Sequence, residues 1–344
     1  MTAPSDRPTV RPSATLVIQT AFLGDVVLTI PLLEVLAERF GPVDVLTTPA
    51  AAALIETHPA VRRVIRYDKR GADRGFRRFG QLTRALQAEE YARAYLPHRS
   101  WRSASLAMLA GIPVRIGFRD SPARTTYTER RPRPTNMHES ARLLSLLDPT
   151  PASRPFHLTL TDQDRKRAAD WLAAAGVTAP FVAVAPGSIW GTKRWPYYAE
   201  LTRSLDIAVV AVGGPDDASL GQAIAAAAPG RAFNAVGALS LRESAALIER
   251  AAVLVTNDSA PLHLATGVGT PIVAIFGPTV LAFGFGPLGP DDAVVEHHAM
   301  PCRPCSPHGP EVCPLKHHRC MIELGPELVV REIQRILTLP GARR

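Results

Sequence analysis

Between Val253 and Thr279 the chain sets Asn257-Asp258-Ser259-Ala260-Pro261 after a run of apolar, β-branched residues and just ahead of Leu262-His263-Leu264-Ala265. Asn, Asp and Ser at such a point cap a helix, and Pro261 fits its first turn, where a missing N–H costs little. A helix start presents unpaired N–H groups and the positive end of the helix dipole, so the place suits a phosphate or pyrophosphate. The plainer alternative is a single βα unit with an ordinary cap. A second cluster is Cys302, Cys305, Cys313 and Cys320, spaced C-x2-C-x7-C-x6-C, with His308, His317 and His318 among them. Four thiols at this spacing can make a tetrahedral structural zinc site, or stay free in a reducing compartment. Asp162 and Asp164 form an Asp-x-Asp that could bind a divalent cation, but they open a helical stretch, so capping is the expectation.

These groups need a frame to hold them. Residues 253–255 and 271–276 read as buried parallel strands around a helix at 260–266, which Gly267 and Gly269 stop. The same grammar runs along the chain. Strands at 14–19, 43–47, 64–67 and 92–96 alternate with helices at 25–40, 50–58, 77–90 and 101–110. A second series has strands at 181–185 and 207–212, with helices at 162–175, 197–205, 219–228 and 241–250. In the helix 25–40, Val26, Ile30, Leu33 and Ala37 recur at helical spacing. The alternation predicts the α/β class, a parallel sheet covered on both faces, and 344 residues accommodate two such halves. Residues 115–134 read as an irregular basic loop, 138–147 as a helix and 149–155 as a proline-rich linker. The expected division is a loose arm at 1–13, a first domain at 14–150, a second at 151–325, and a terminal helical segment at 326–344 free to cross back to the first. Two doubly wound halves facing each other would bring their carboxyl-edge loops to one cleft.

With 46% hydrophobic and 20% charged residues, the composition is that of a globular chain. Residues 1–13 lack the apolar stretch of a signal peptide, and the apolar segment 21–40 is interrupted by Asp25, Glu34, Glu38 and Arg39. The expectation is a cytoplasmic protein with at most peripheral membrane contact. Net charge is +8, and it is concentrated. Residues 62–78 carry seven Arg and one Lys against Asp68 and Asp73, and residues 115–133 carry six Arg against Asp120 and Glu129. Such loops attract polyanions: nucleic acid, anionic lipid headgroups or a phosphorylated glycolipid. They can equally be solvated surface.

Asn-Asp-Ser-x-Pro-Leu-His-Leu-Ala, followed by Thr-Pro-Ile-Val-Ala-Ile-Phe-Gly-Pro-Thr, resembles the nucleotide-sugar signature of glycosyltransferase family 9, which contains the lipopolysaccharide core heptosyltransferases. Ala260 stands where that family usually has Gly, a departure that narrows the backbone at a point of close approach. Two further stretches carry the resemblance: Phe22-Leu-Gly-Asp-Val-Val-Leu-Thr-Ile-Pro31, and Pro186-Gly-Ser through Thr192-Lys193-Arg194-Trp195-Pro196. The three lie in the family's order across nearly the whole chain.

The resemblance implies a GT-B fold, two facing Rossmann-like domains with an acceptor half and a donor half. It implies Asp25 as general base, a carboxylate at a strand's carboxyl edge able to take a hydroxyl proton. It implies Lys193 beside the departing pyrophosphate, where its charge replaces a metal. Ser188, Thr192, Asp217, Asp258, Ser259, Ala260 and His263 are the implied donor contacts. The implied reaction is inverting and metal-independent, moving heptose from an ADP-activated donor to the lipopolysaccharide inner core at the cytoplasmic face of the inner membrane. Arg74, Arg77, Arg78 and Arg124 are expected to bind the anionic acceptor. No cofactor is expected for catalysis, zinc at the four cysteines would be structural, and nucleic acid is not an expected partner. The rivals are a related transferase with another nucleotide sugar or glycan, and a metal-stabilised polyanion-binding protein.

Overall fold

Short runs rich in Val, Ile, Leu and Ala become parallel strands because both of their faces are covered, which is what continuous apolar strands require. The computed structural model describes residues 14–151 and 154–339, so the expected arm at 1–13 lies outside the described residues. β1 (Thr15–Ile18), β2 (Val43–Thr47), β3 (Val61–Arg66), β4 (Arg93–Leu96), β5 (Val114–Phe118) and β6 (Glu129–Arg131) form one sheet in the order β3-β2-β1-β4-β5-β6. β7 (Phe181–Ala185), β8 (Ala208–Ala211), β9 (Ala232–Asn234), β10 (Val253–Asn257), β11 (Ile272–Phe276) and β12 (Ala293–Glu296) form another, β12-β11-β10-β7-β8-β9. The pairings in both are parallel, and β1, β7, β10 and β11 are buried throughout. Each order reverses once, between β1 and β4 and between β7 and β10. In doubly wound sheets the loops at such a reversal splay apart and leave a ligand crevice.

The structure departs from the expectations in several places. Residues 115–134 are not a loose loop. They contain β5, a 3-10 turn at Arg124–Thr126 and β6. Arginines at 115, 130 and 131 hid these strands; Arg115 Nε donates to Thr126 O at 2.7 Å. β9 and β12, of three and four residues, were too short to register. The helix expected at 25–40 is two, Leu23–Leu28 and Ile30–Phe40, because Pro31 has no N–H to continue the ladder. Asp164 accepts from Thr161 N at 2.8 Å in a capping box and from Arg242 Nε at 3.0 Å, so the Asp-x-Asp serves as a cap.

The contacts divide the chain into two compact units. The first takes residues up to Ala21, Thr29–Pro134 and Ser140–Arg154; the second takes Phe22–Leu28, Thr135–Glu139 and the described residues from Pro155 onward. The expected boundary near residue 150 is therefore crossed by two short segments. One of them, Phe22–Leu28, packs on the helix Ala260–Val268 because Gly24 has no side chain: a Cβ there would lie 2.5 Å from His263 Cδ2. The terminal helix Pro326–Leu337 buries Val329, Ile333 and Ile336 in the second unit's own core with Trp195, Val255 and Ile275. Residues 340–344 of the expected terminal segment lie outside the described residues.

In the first unit the apolar core around Leu16, Ile18, Leu46 and Tyr67 ends at one buried acid, Asp44 on β2. Its carboxylate accepts from Arg62 Nε and Nη2, both at 2.8 Å, from Arg63 Nη2 at 2.8 Å, and from the Tyr91 hydroxyl. Burial pushes this carboxyl up, but the bonds from Arg62, Tyr91 and Arg63 outweigh it and hold the group below its ordinary value.

Two expectations follow for stability. Asp44→Ala should cost about 1–3 kcal/mol in denaturant unfolding, less than a wholly buried pair because both guanidiniums are about half exposed. Because the folded value is depressed, the ionic contribution is present above about pH 4 and disappears as pH falls through the folded value, so the Asp44→Ala difference should shrink on acidification. Gly24→Ala forces a methyl onto a buried ring and should cost about 1–3 kcal/mol, read as a lower thermal midpoint.

Candidate active site

The loops leaving β7, β8 and β10 meet in the second unit, and a fully buried amide knits two of them. Asn257, the last residue of β10, accepts at Oδ1 from Trp195 N (3.2 Å) and the Tyr198 hydroxyl (3.2 Å), and its Nδ2 donates to Pro186 O (2.9 Å). A buried carboxamide has to satisfy both ends, and here that requirement fixes the 186–196 loop against the end of β10.

On that base sits an ion pair. Lys193 Nζ donates to Asp258 Oδ2 at 2.6 Å, and Thr279 Oγ1 donates to the same oxygen at 2.7 Å. Both charged side chains are about one-tenth exposed. Asp258 therefore does not cap the helix Ala260–Val268; its carboxylate faces the lysine. Ser259 is the N-cap residue, without a capping bond from its side chain, and its hydroxyl lies 3.4 Å from Thr256 Oγ1. In the first turn of that helix Pro261 has no N–H and Leu262 N donates to Ser259 O at 3.1 Å, while the positive end of the helix adds to the Lys193 charge.

His263, one turn into the helix, is buried against Gly24 and lies edge-on to Phe285 at 6.3 Å between centroids. Burial lowers it to about 4, with Asp258 opposing and His138 and Lys193 assisting, so the ring is neutral at physiological pH. It adds no competing charge next to the lysine. Asp25 lies in the same unit, partly buried, and accepts from Phe22 N at 3.1 Å.

The loop after β8 brings in Asp217. Gly214 N donates to its Oδ2 at 3.1 Å, and burial raises the carboxyl above its ordinary value. A Cβ on Gly187 would lie 2.2 Å from Asp217 Oδ1, so the glycine of the 186–196 loop permits this approach. Ser188 Oγ accepts from Trp190 N at 3.2 Å and shapes the turn. Thr192 is buried, and its single hydroxyl proton goes to Pro310 O, leaving only lone pairs for a ligand. The structure thus brings Lys193, Asp258, Ser259 and His263 together and sets Asp217 and Ser188 on adjoining loops.

Sequence reasoning missed Asn257 as a binding strut, and Thr279 altogether. The signal for Asn257 was an amide closing an apolar strand, which has to find partners. Thr279 closes the quoted motif, but its bond to Asp258 could not be read there, since it depends on β11 lying beside β10.

Of the two readings left open for the four cysteines, zinc finds no ligand set: among the described residues, no group of three or more His, Cys, Asp or Glu side chains is arranged to hold a metal ion. Cys305 Sγ donates to Cys302 O at 3.4 Å. Cys320 is packed with Met300, Met321 and Leu324, where burial pushes its thiol up to about 11. Cys313 is only partly buried and faces the amides of residues 315–318.

In the first unit, Arg74, Arg77 and Arg78 line one open cavity of about 570 Å³ together with Phe76 and Gln81. Phe76 is 96% exposed. Arg124 is not among the lining residues; it sits in the 3-10 turn after β5, on the same carboxyl edge of the sheet as the loop after β3. Of the other basic residues of that stretch, Arg62 and Arg63 pair with Asp44 and Arg66 with Glu56, while Lys69 Nζ donates to Thr20 O at 2.6 Å. Among the described residues no helix is long and apolar enough to cross a membrane.

Comparison with known proteins agrees with this architecture. The chain is 41% identical over 86 residues to lipooligosaccharide heptosyltransferase 2 of Campylobacter jejuni, a match covering 25% of this chain and 26% of that enzyme. It is 28% identical over 291 residues to lipopolysaccharide heptosyltransferase 2 of Escherichia coli, covering 77% of this chain and 82% of the relative. The solved structure of E. coli ADP-heptose lps heptosyltransferase II superposes with a TM-score of 0.77 at 24% identity, over 94% of this chain and 98% of that one, which fixes the fold as GT-B. Residues 79–315 match glycosyltransferase family 9 (heptosyltransferase). With that match spanning most of a chain built as two doubly wound units, the protein belongs to glycosyltransferase family 9 and is a glycosyltransferase.

Proposed function

We propose that this glycosyltransferase moves heptose from ADP-L-glycero-D-manno-heptose to the inner core of lipopolysaccharide, with inversion and without a metal. The observation that carries the reading is the Lys193–Asp258 contact of 2.6 Å at the carboxyl edge of β7 and β10, beside the start of the helix Ala260–Val268. A lysine held there offers a fixed positive charge, and the helix start offers the positive end of its dipole, to the diphosphate that gains charge as the sugar leaves. The names of its relatives, which specify heptose transfer to lipopolysaccharide or lipooligosaccharide, support the sugar and the acceptor class.

In this reading Asp25 takes the proton from an acceptor hydroxyl as that oxygen bonds to the anomeric carbon. The bond from the anomeric carbon to the diphosphate breaks, and ADP departs with the electron pair. Attack opposite the leaving group gives inversion in a single displacement. Ser188 and Ala260 contribute to the diphosphate seat, Asp217 to the ribose, and His263 packs as a neutral ring beside the donor.

The acceptor's carboxylates and phosphates are met by Arg74, Arg77 and Arg78 at their cavity, with Arg124 on the neighbouring loop. Exposed Phe76 among these arginines suits the border of an anionic bilayer, consistent with peripheral contact at the cytoplasmic face of the inner membrane.

Product mass spectrometry after incubation with ADP-heptose and a truncated core acceptor tests the reaction; a product lacking the heptose increment sinks it. Asp25→Asn should lower turnover roughly 100-fold with ADP affinity nearly unchanged. Lys193→Ala should lose both donor affinity and rate, and a chelator should leave the wild-type rate within about two-fold; a rate that collapses with chelator would refute metal independence. For the acceptor, salt should raise its KM far more than the donor's, because the Debye length falls from about 10 Å at 0.1 M to about 3 Å at 1 M. Arg77→Ala with Arg78→Ala should reproduce that rise at low salt, and equal sensitivity of the two substrates would return these arginines to solvated surface.

A further inference from the structure

The cysteine-containing segment has no part in the chemistry described so far, yet it covers the loop that carries Lys193. Gly191 N donates to Glu311 Oε2 at 3.0 Å. Thr192 N donates to Pro310 O at 3.3 Å, and its hydroxyl donates to the same carbonyl. His318 Nε2 lies 2.8 Å from Thr192 O; a carbonyl only accepts, so the ring carries its proton on Nε2. Gly309 is buried with φ +77°, and a Cβ there would lie 3.0 Å from Pro278 Cγ, 3.2 Å from Thr192 Oγ1 and 3.5 Å from Lys193 Cγ.

The segment is anchored on both sides. Cys305 N donates to Pro278 O at 2.9 Å. Beyond His318 the chain enters the core through Cys320, Met321 and Leu324, where Trp195 Nε1 donates to Leu324 O at 2.7 Å. Between the anchors, the His308 ring stacks on Trp190 at 5.9 Å with planes 8° apart, and meets Phe22 edge-on at 5.7 Å. Trp190 precedes the lysine turn and Phe22 precedes Asp25. The contacts therefore fall on the residues just before Lys193 and on the segment that carries Asp25.

We propose that residues 305–318 are a strap that holds the Lys193 loop in register, with Glu311 and His318 as positioning residues for Lys193. A free lysine side chain loses rotamer entropy when it is fixed. A loop fixed beforehand spares the donor complex the further cost of ordering the backbone that aims the lysine. Glu311 is itself exposed, so its removal should loosen the loop without unfolding the unit. The inference rests on the reading of Lys193 as the donor-diphosphate lysine.

The test compares Glu311→Ala, Glu311→Gln and Lys193→Ala in the full chain. Lys193 is one of four lysines, so its acetylation by limiting acetic anhydride can be followed by peptide mass spectrometry, with Lys166 as internal control. In Glu311→Ala, Lys193 should be acetylated several-fold faster while Lys166 is unchanged and the thermal midpoint stays close to wild type. The kcat/KM for ADP-heptose should fall roughly ten-fold, with acceptor KM within two-fold. Glu311→Gln should restore both readouts, because an amide oxygen still accepts from Gly191 N. Wild-type labelling and donor kinetics in Glu311→Ala, or a Gln variant as impaired as Ala, would overturn the strap. Wild-type donor kinetics in Lys193→Ala would instead overturn the donor-loop reading, while faster Lys193 labelling in Glu311→Ala would still support the strap.

Discussion

Two opposite charges nearly out of water, Lys193 and Asp258, impose the constraint on which the second unit depends. A buried pair repays its desolvation only if geometry is good and the remaining lone pairs are satisfied. Here the satisfaction is local and traceable. Thr279 gives Asp258 a second donor, Asn257 fixes the backbone on either side, and neutral His263 keeps a second positive charge away. These groups come from β10, β11 and the loop after β7, neighbours only because the sheet reverses its order between β7 and β10. The topology is thus what makes the pair affordable.

The same economy explains the placement of Asp25. Its segment follows β1 in the chain but belongs by packing to the second unit, since Gly24 admits the His263 ring where any side chain would collide. A candidate base and a candidate leaving-group lysine are thereby held in one compact unit, connected through His263 and through the Phe22–His308–Trp190 rings. Positional precision of this kind needs rigid neighbours more than it needs additional polar groups.

Much of this was legible in the sequence, and the reasons are specific. Strands such as Phe181–Ala185 and Ile272–Phe276 are apolar at every position, and a buried parallel strand leaves no other pattern. β5 and β6 carry arginines whose heads reach the carbonyls of Thr126 and Leu146, so charge disguised them as a loop. Site residues carried by a motif could be named, whereas Thr279, Gly309 and Glu311 acquire their roles only from segments distant in the chain. Cysteine spacing left zinc and free thiols both open, because it records separation along the chain; in the fold Cys302, Cys305 and Cys313 lie near enough to Cys320 to help push its thiol up, without a ligand group arranged for a metal among the described residues.

Charge taught the opposite lesson, that composition overstates what is free to bind. Of the basic residues between 62 and 78, Arg62 and Arg63 close the polar end of the first core on Asp44, Arg66 pairs with Glu56, and Lys69 donates to Thr20 O at 2.6 Å. Arg74, Arg77 and Arg78 instead gather at one cavity with an exposed phenyl ring between them. Like charges gathered beside an exposed phenyl ring add nothing to the packing of the first unit. The basic residues of this stretch thus divide into those that the carboxylates of Asp44 and Glu56 hold in ion pairs and the three arginines that line the cavity.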